Sequence, residues 1–142
     1  MNNAWLIAID GSTPSLNAVD HVIREAANCL VKPQVYLINV QSPLSSDITR
    51  FVDEKVVQDY HREAGDTALA AAKGKMGASG LTFSSHILIG EAAPTIVEFA
   101  YDKGCSKIVM GAHGFGSVVG LFMGSVTVKV VHQASVPVLL VK

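Results

Sequence analysis

Five of the twelve glycines in this chain lie between Gly111 and Gly124, in the run Met-Gly-Ala-His-Gly-Phe-Gly-Ser-Val-Val-Gly-Leu-Phe-Met-Gly-Ser. The run follows an apolar, strand-like segment and opens a helix-like one. Glycine accepts φ > 0 and carries no Cβ, so backbone N–H groups can converge on an anion, and a helix N-terminus adds unpaired donors and about half a positive charge. The chemistry suggested is phosphate binding. The grammar is Gly111, two residues, Gly114, nine residues, Gly124, then Ser125. It is not a P-loop, because the Gly111 to Gly116 spacing is followed by Ser117 instead of Lys-Ser or Lys-Thr. Nor is it Gly-x-Gly-x-x-Gly, since Gly114 and Gly116 are followed by Val119. Glycines that merely permit tight turns are the competing reading. Ser125 at a helix start favours the cradle, because its hydroxyl and the neighbouring N–H groups can hold phosphate oxygens.

Asp10-Gly11-Ser12 is a second candidate, either as a simple turn or as a functional carboxylate at the end of the first strand. His113 lies inside the glycine run with nothing nearby in sequence to set its tautomer. His21, His61, His86 and His132 show no metal-ligand spacing, read as surface or strand residues, and predict no zinc site. Cys29 and Cys105 lie outside any Cys-x-x-Cys pattern and read as ordinary free thiols.

The elements that must position these residues follow from periodicity. Ala4 to Ile9 reads as a buried parallel strand. Thr13 as N-cap and Pro14 in the first turn start a helix whose Leu16, Val19, Val22, Ile23, Ala26 and Leu30 repeat until Pro33. Gln34 to Val40 is a second strand and Gln41 to Thr49 a loop. A long helix is expected from about Arg50 to Met76, its apolar face formed by Phe51, Val52, Val56, Tyr60, Ala64, Ala68, Leu69 and Ala72. Gly74, Gly77 and Gly80 punctuate the chain before a third strand, Leu81 to Ile89, closed by Gly90. A helix starting near Pro94 buries Ile96, Val97 and Ala100 and stops with Gly104 at C′. Lys107 to Met110 is the fourth strand, Ser125 to about Gln133 a short helix, and Val138 to Val141 the last strand, led by Pro137.

Five strands alternating strictly with four helices imply an α/β fold: a three-layer open sandwich, a five-stranded mainly parallel sheet with helices on both faces. Growth of the sheet in both directions from the first strand gives the order 3-2-1-4-5. The switch point then falls between strands one and four, where Asp10 meets the glycine run.

At 142 residues the chain is expected to form one domain able to bury a core without metal or disulfide. A net charge of -1, with no basic run of five or more, argues against nucleic acid as a partner. Hydrophobic residues reach 49%, but polar ones break the apolar stretches too often for a membrane span. The start, Met-Asn-Asn-Ala-Trp, shows no signal-peptide pattern, so a cytoplasmic location is the expectation.

Met-Gly-Ala-His-Gly, Leu-Phe-Met-Gly-Ser-Val-Thr and Pro-Val-Leu-Leu-Val resemble the C-terminal half of a universal stress protein, and Asp10-Gly11-Ser12 after the first strand fits the same family. The resemblance covers the whole chain in element order, and its glycine spacing is that of the family's ATP-binding branch. It implies that Ala8, Ile9 and Asp10 border an adenosine, that Val40 offers backbone groups to adenine, and that Met110, Gly111, Gly114, Gly124, Ser125 and Val126 surround the phosphates, with His113 close enough to join them. The implied cofactor is ATP, ADP or AMP, with Mg or Mn held through the phosphates. The residue after Gly114 is often basic in the family and here is Phe115, and no Lys or Arg occurs between Lys107 and Lys129. Triphosphate charge would therefore rest on backbone donors, the helix dipole, His113 and a divalent ion.

With so few charged groups at the crevice, any hydrolysis or self-phosphorylation should be slow, Ser125 or a nearby hydroxyl being the conceivable acceptor. The reading favoured is an ATP-binding stress-response regulator; the alternative is an interaction module of the same fold whose glycine loop is structural. Val138 to Val141 would lie at an open sheet edge, and the resemblance implies a homodimer pairing these strands, with Leu121, Phe122 and Met123 either packing there or under the loop.

Overall fold

The computed structural model describes residues 3–114 and 124–142. Leu121, Phe122 and Met123 lie outside the described residues, as does Phe115. The chain runs through β1 (Ala4–Ala8), α1 (Thr13–Ala27), β2 (Gln34–Gln41), α2 (Ser46–Thr49), α3 (Glu54–Ser79), β3 (Phe83–Ile89), α4 (Ala92–Asp102), β4 (Lys107–Gly111), α5 (Ser125–Gln133) and β5 (Val138–Val141). The five strands form one sheet in the order β3-β2-β1-β4-β5, and every pairing is parallel.

The strands alternate their side chains between two cores, as a pleated strand covered on both faces must. Ile7, Ile9, Val35, Leu37 and Val109 pack with Val19, Val22 and Ala26 of α1 and with Leu69, Ala72 and Met76 of α3. Leu6, Ile38, Ile108 and Met110 point the other way, against Ala93, Ile96 and Ala100 of α4 and Val130 of α5. Ala8 sits opposite both Ile38 and Met110 in the register, which places the carboxyl ends of β2, β1 and β4 side by side.

Several local expectations are corrected. The N-cap of α1 is Ser12 rather than Thr13, with Pro14 inside the first turn. The helix ends at Ala27, where the Lys32 ammonium donates to the carbonyls of Ala26 and Ala27, so Leu30 lies beyond it, fully exposed. The segment read as a loop contains the short helix α2, whose cap Ser45 accepts from the Ile48 N–H. The long helix begins at Glu54 and runs through Gly74 and Gly77, which face open space, to Gly80 at φ 78°. Its buried stripe is His61, Gly65, Leu69, Ala72 and Met76, while Phe51, Val52, Val56 and Tyr60 are exposed. Gly65 sets that stripe, because an added Cβ would lie 2.5–2.8 Å from Ile87 side-chain atoms. The third strand starts at Phe83 rather than Leu81.

Candidate functional site

β1 ends at a turn that only a small residue can make: Gly11 has φ 84°, a conformation glycine adopts without Cβ strain. This turn brings the Ser12 N–H to 2.9 Å from Asp10 Oδ1, and the Ser12 hydroxyl donates to the same oxygen. Ser12 Oγ in turn accepts from the Ser15 N–H at 3.5 Å, and the Ser15 hydroxyl donates to the Ser12 carbonyl at 2.9 Å. The start of α1 is therefore capped by its own side chains, and Asp10 Oδ1 is engaged in the turn.

The other side of the crevice is assembled from β4 and α5. Gly111 ends β4, and a Cβ there would lie 2.8–2.9 Å from Pro14 and Ser15, so this position must lack one for α1 to sit against the strand. A Cβ on Gly114 would collide with Asp10 Oδ2, which puts the second loop glycine directly against the acid. Gly111, Gly114 and Gly124 all lack a positive φ. At Gly111 and Gly114, then, closeness of approach is what demands glycine, rather than a left-handed conformation.

The α5 N-terminus is tied back to β4 by Gly124 N–H to the Ala112 carbonyl at 3.1 Å and by the Thr127 hydroxyl to the Gly111 carbonyl at 3.2 Å. Its N-cap, Gly124, supplies no side-chain acceptor. Unlike α1, α5 thus opens with first-turn N–H groups that no side chain of the described residues caps, at the positive end of a nine-residue helix.

These elements enclose a cavity of about 320 Å³ at the carboxyl ends of β1, β2 and β4. Small-molecule sites run from about 300 to 1,000 Å³, so the space suits a compact ligand. Ala8, Ile9, Asp10, Val40, Met110, Gly111, His113, Gly114, Gly124, Ser125 and Val126 all line it. Every residue anticipated for the site is brought to one place. His113 is buried in this lining.

Sequence reading missed Ser12, Ser15, Ile38, Ala92, Ile96 and Thr127 as lining residues. Ile38 was detectable, because it shares a strand face with Val40 two residues on. Ala92 and Ile96 come from the start of α4, which sequence spacing does not connect to this crevice. The lining combines apolar Ile38, Val40, Ile96 and Met110 with polar Asp10, Ser12 and Ser125. No Lys or Arg is among the lining residues.

A third layer of positioning was also missed. Asn39, nearly fully buried, donates from Nδ2 to the Ile9 carbonyl at 2.8 Å, and the Ile9 N–H donates to the Ile38 carbonyl at 2.8 Å. Ile9, next to Asp10, is thus clamped to β2 from both sides of its peptide. His61 continues this network from α3, which corrects its reading as a surface or strand residue.

A parallel sheet with this order, a crevice at its switch point and the Gly111–Gly124 spacing together match a known pattern, and the profile of the universal stress protein family aligns with residues 1–142. The chain belongs to the universal stress protein family. Universal stress protein YxiE of Bacillus subtilis is 29% identical to it over 150 residues, covering 100% of both chains. Universal stress protein MJ0531 of Methanocaldococcus jannaschii is 33% identical over 143 residues, covering 96% of this chain and 80% of the relative. Among solved structures, protein MJ0577 superposes with a TM-score of 0.83 at 27% identity, covering 100% of this chain and 96% of that one. Two more distant family structures share the fold and were solved with adenine nucleotides. One, from Archaeoglobus fulgidus, holds dAMP (TM-score 0.69, 23% identity, 100% and 98% covered), and another holds cAMP (TM-score 0.71, 24% identity, 99% and 97% covered).

Proposed function

We propose that this universal stress protein binds an adenine nucleotide, ATP in the first instance, in the crevice at the ends of β1, β2 and β4. The observation that carries the reading is the pairing, across one cavity, of the Asp10 carboxylate with the uncapped N-terminus of α5. The adenine would rest on the apolar wall of Ile38, Val40 and Met110. Asp10 would accept from the ribose hydroxyls, and the first-turn N–H groups of α5 with the Ser125 hydroxyl would receive the phosphates. The dAMP and cAMP complexes of family members support the ligand class.

The donors fit a phosphate, since the first-turn N–H groups of α5 are capped by no side chain of the described residues and Gly124 and Ser125 line the cavity. No group of three or more His, Cys, Asp or Glu suited to a metal occurs among the described residues. A Mg or Mn ion would therefore be held chiefly by the nucleotide, where it would offset phosphate charge that no lysine or arginine of the lining meets. With one carboxylate and no cation among the lining residues, the protein's own groups suit binding and slow turnover, as a cytosolic regulator would use them.

The partner proposed for this state is a second copy joined through β5, an edge strand beside which Val128 and Val131 of α5 are exposed. Sedimentation at micromolar concentration should show a dimer, and a monomer alone would remove that part of the reading.

The decisive experiment is to denature freshly purified protein and analyse released nucleotide, then to titrate ATP, ADP and AMP with and without magnesium by calorimetry. Saturable binding that is lost in Gly114→Val and Ser125→Ala is expected. No binding of any of the three would overturn the proposal.

A further inference from the structure

A second cavity, of about 560 Å³, lies on the opposite face of the sheet from the nucleotide crevice, between the first turns of α3, the chain after β2 and the open edge of β3. Leu44, Val57, Ile87 and Ile89 make its walls apolar. Of the charged residues that line it, Arg62 is paired with Asp59 at 2.6 Å and Glu54 accepts from Gln58, so no unpaired cation of the lining is there to hold an anion. One further lining group differs in kind: His61, only 7% exposed.

The hydrogen bonds around His61 determine which of its nitrogens can act. Gln41 Nε2 faces two oxygens, Asn39 Oδ1 at 3.0 Å and the His61 carbonyl at 3.1 Å, so it must be the amide nitrogen. Gln41 Oε1 is therefore the atom 2.9 Å from His61 Nδ1, and Nδ1 must carry the proton that joins them. Asn39 Nδ2, donating to the Ile9 carbonyl, orients the far end of the same chain of bonds. In the neutral ring this leaves Nε2 as a bare acceptor, and no described residue donates to it. No buried side-chain N or O atom is without a partner among the described residues, so Nε2 is open to the cavity rather than sealed.

We propose that this cavity is a second small-molecule site, which takes an uncharged, compact apolar molecule carrying one hydroxyl, an aryl alcohol in type. The ring or alkyl body would cover Val57, Ile87 and Ile89, and the hydroxyl would donate to His61 Nε2. The occupant is compact because the space measures about 560 Å³, and uncharged because an ion would lose its hydration against walls of Leu44, Val57, Ile87 and Ile89. The cavity shares no lining residue with the crevice.

Phenol and anisole serve as matched probes, since they share the ring and differ in the donor. Titration followed by amide chemical shifts should show saturable movement at Leu44, Val57, Ile87 and Ile89 with phenol in the millimolar range. Anisole should bind about tenfold more weakly, the value of one hydrogen bond that a buried acceptor otherwise lacks. His61→Asn keeps a donor toward Gln41 and removes Nε2, leaving the shorter side chain with no atom at that position, so phenol should fall to the affinity of anisole. Val57→Trp fills the cavity and should abolish binding of both. Equal affinity of wild-type protein for phenol and anisole would overturn the proposal, as would shifts that map elsewhere or fail to saturate. The wild-type comparison decides the matter even where a variant does not fold. ATP titration of the wild-type protein with and without phenol should be unchanged, which separates failure here from failure of the nucleotide reading.

Discussion

At the carboxyl ends of β1 and β4 the chain turns on Asp10, Gly11 and Ser12 and on Gly111 to Gly114. At the amino ends of the same strands it buries Trp5 beneath the Lys107 ammonium, 3.8 Å from the ring centroid. Lys107 also reaches Glu25 Oε1 at 2.6 Å, and His21 meets the other carboxylate oxygen at 2.8 Å. One end thus satisfies its charges internally, with cation, carboxylate and aromatic face in contact. The other leaves helix donors and a carboxylate facing a cavity without a lysine or arginine in its lining. Charge thus serves cohesion away from the crevice, while the crevice is lined by glycines and backbone donors. A site built from backbone donors can receive an anion without first breaking an ion pair.

The largest expected effect comes from filling the crevice end. Gly111→Val drives side-chain atoms into Pro14 and Ser15 and should cost about 3 kcal/mol in denaturant unfolding, at the upper end for overpacking. The contrast between the ends would break if that variant were as stable as wild type. Asp10→Ala acts on the proposed binding as well: removal of a charged hydrogen-bond partner should weaken ATP binding by roughly tenfold to a hundredfold, and the loss of the acceptor for Ser12 should cost about 1 kcal/mol of stability. At the opposite end, Lys107→Met removes both the ammonium over Trp5 and the pair to the partly exposed Glu25. It should lower stability by about 1 kcal/mol and leave ATP affinity unchanged.

Smaller effects sharpen the comparison through pH. The hydrogen bond from Lys107 holds the Glu25 carboxyl below its ordinary 4.5, partial burial opposes this, and His21 adds to it. The unfolded chain therefore takes up this proton first. Glu25 contributes stability that is present above pH 4.5 and is lost as the pH falls through the lowered native value. Glu25→Gln should flatten that acid limb. On β3, burial and then the Lys103 charge lower the His86 pKa from 6.5, so its contribution is present above 6.5 and is lost as the pH falls from there through the lowered value. His86→Phe, beside Phe99 and Tyr36, should remove that dependence in unfolding curves measured between pH 7 and 5. The smallest effect concerns Cys105, just before β4, whose thiol burial pushes up to about 11. At pH 8 a thiol-specific chromogenic reagent should label half-buried Cys29 and leave Cys105 untouched until the protein unfolds.

Much of this architecture was legible as sequence because local physics determines it. Alternating apolar strands and capped helices define a parallel sheet, and the connection rules then allow few strand orders. The site was legible for the same reason: strand ends at a switch point converge, so Asp10, Val40 and Gly111 had to meet there once the order was 3-2-1-4-5. The approach to α3 and its first turns were misread because an apolar spacing that repeats like a core stripe, from Phe51 and Val52 before the helix to Val56 and Tyr60 on it, points to solvent in the fold. Periodicity reports a face without saying what covers it.

Three features depended on the tertiary structure alone. Gly65, Gly111 and Gly114 are required by atoms distant in sequence, Ile87, Pro14 and Asp10, whose approach no local pattern records. The chain Ile9, Asn39, Gln41 and His61 joins β1, β2 and α3, and its proton directions exist only once those elements are packed. The cavity wall from Ala92 and Ile96 likewise appears only when α4 crosses the sheet. By itself the sequence determined the strand order, the residues at the strand ends and the lysine-free loop, since backbone preference and hydrophobic period act within each segment. Which glycines are steric necessities, and which histidine is buried with one nitrogen free, was decided by tertiary packing, because excluded volume and hydrogen-bond direction are relations between segments.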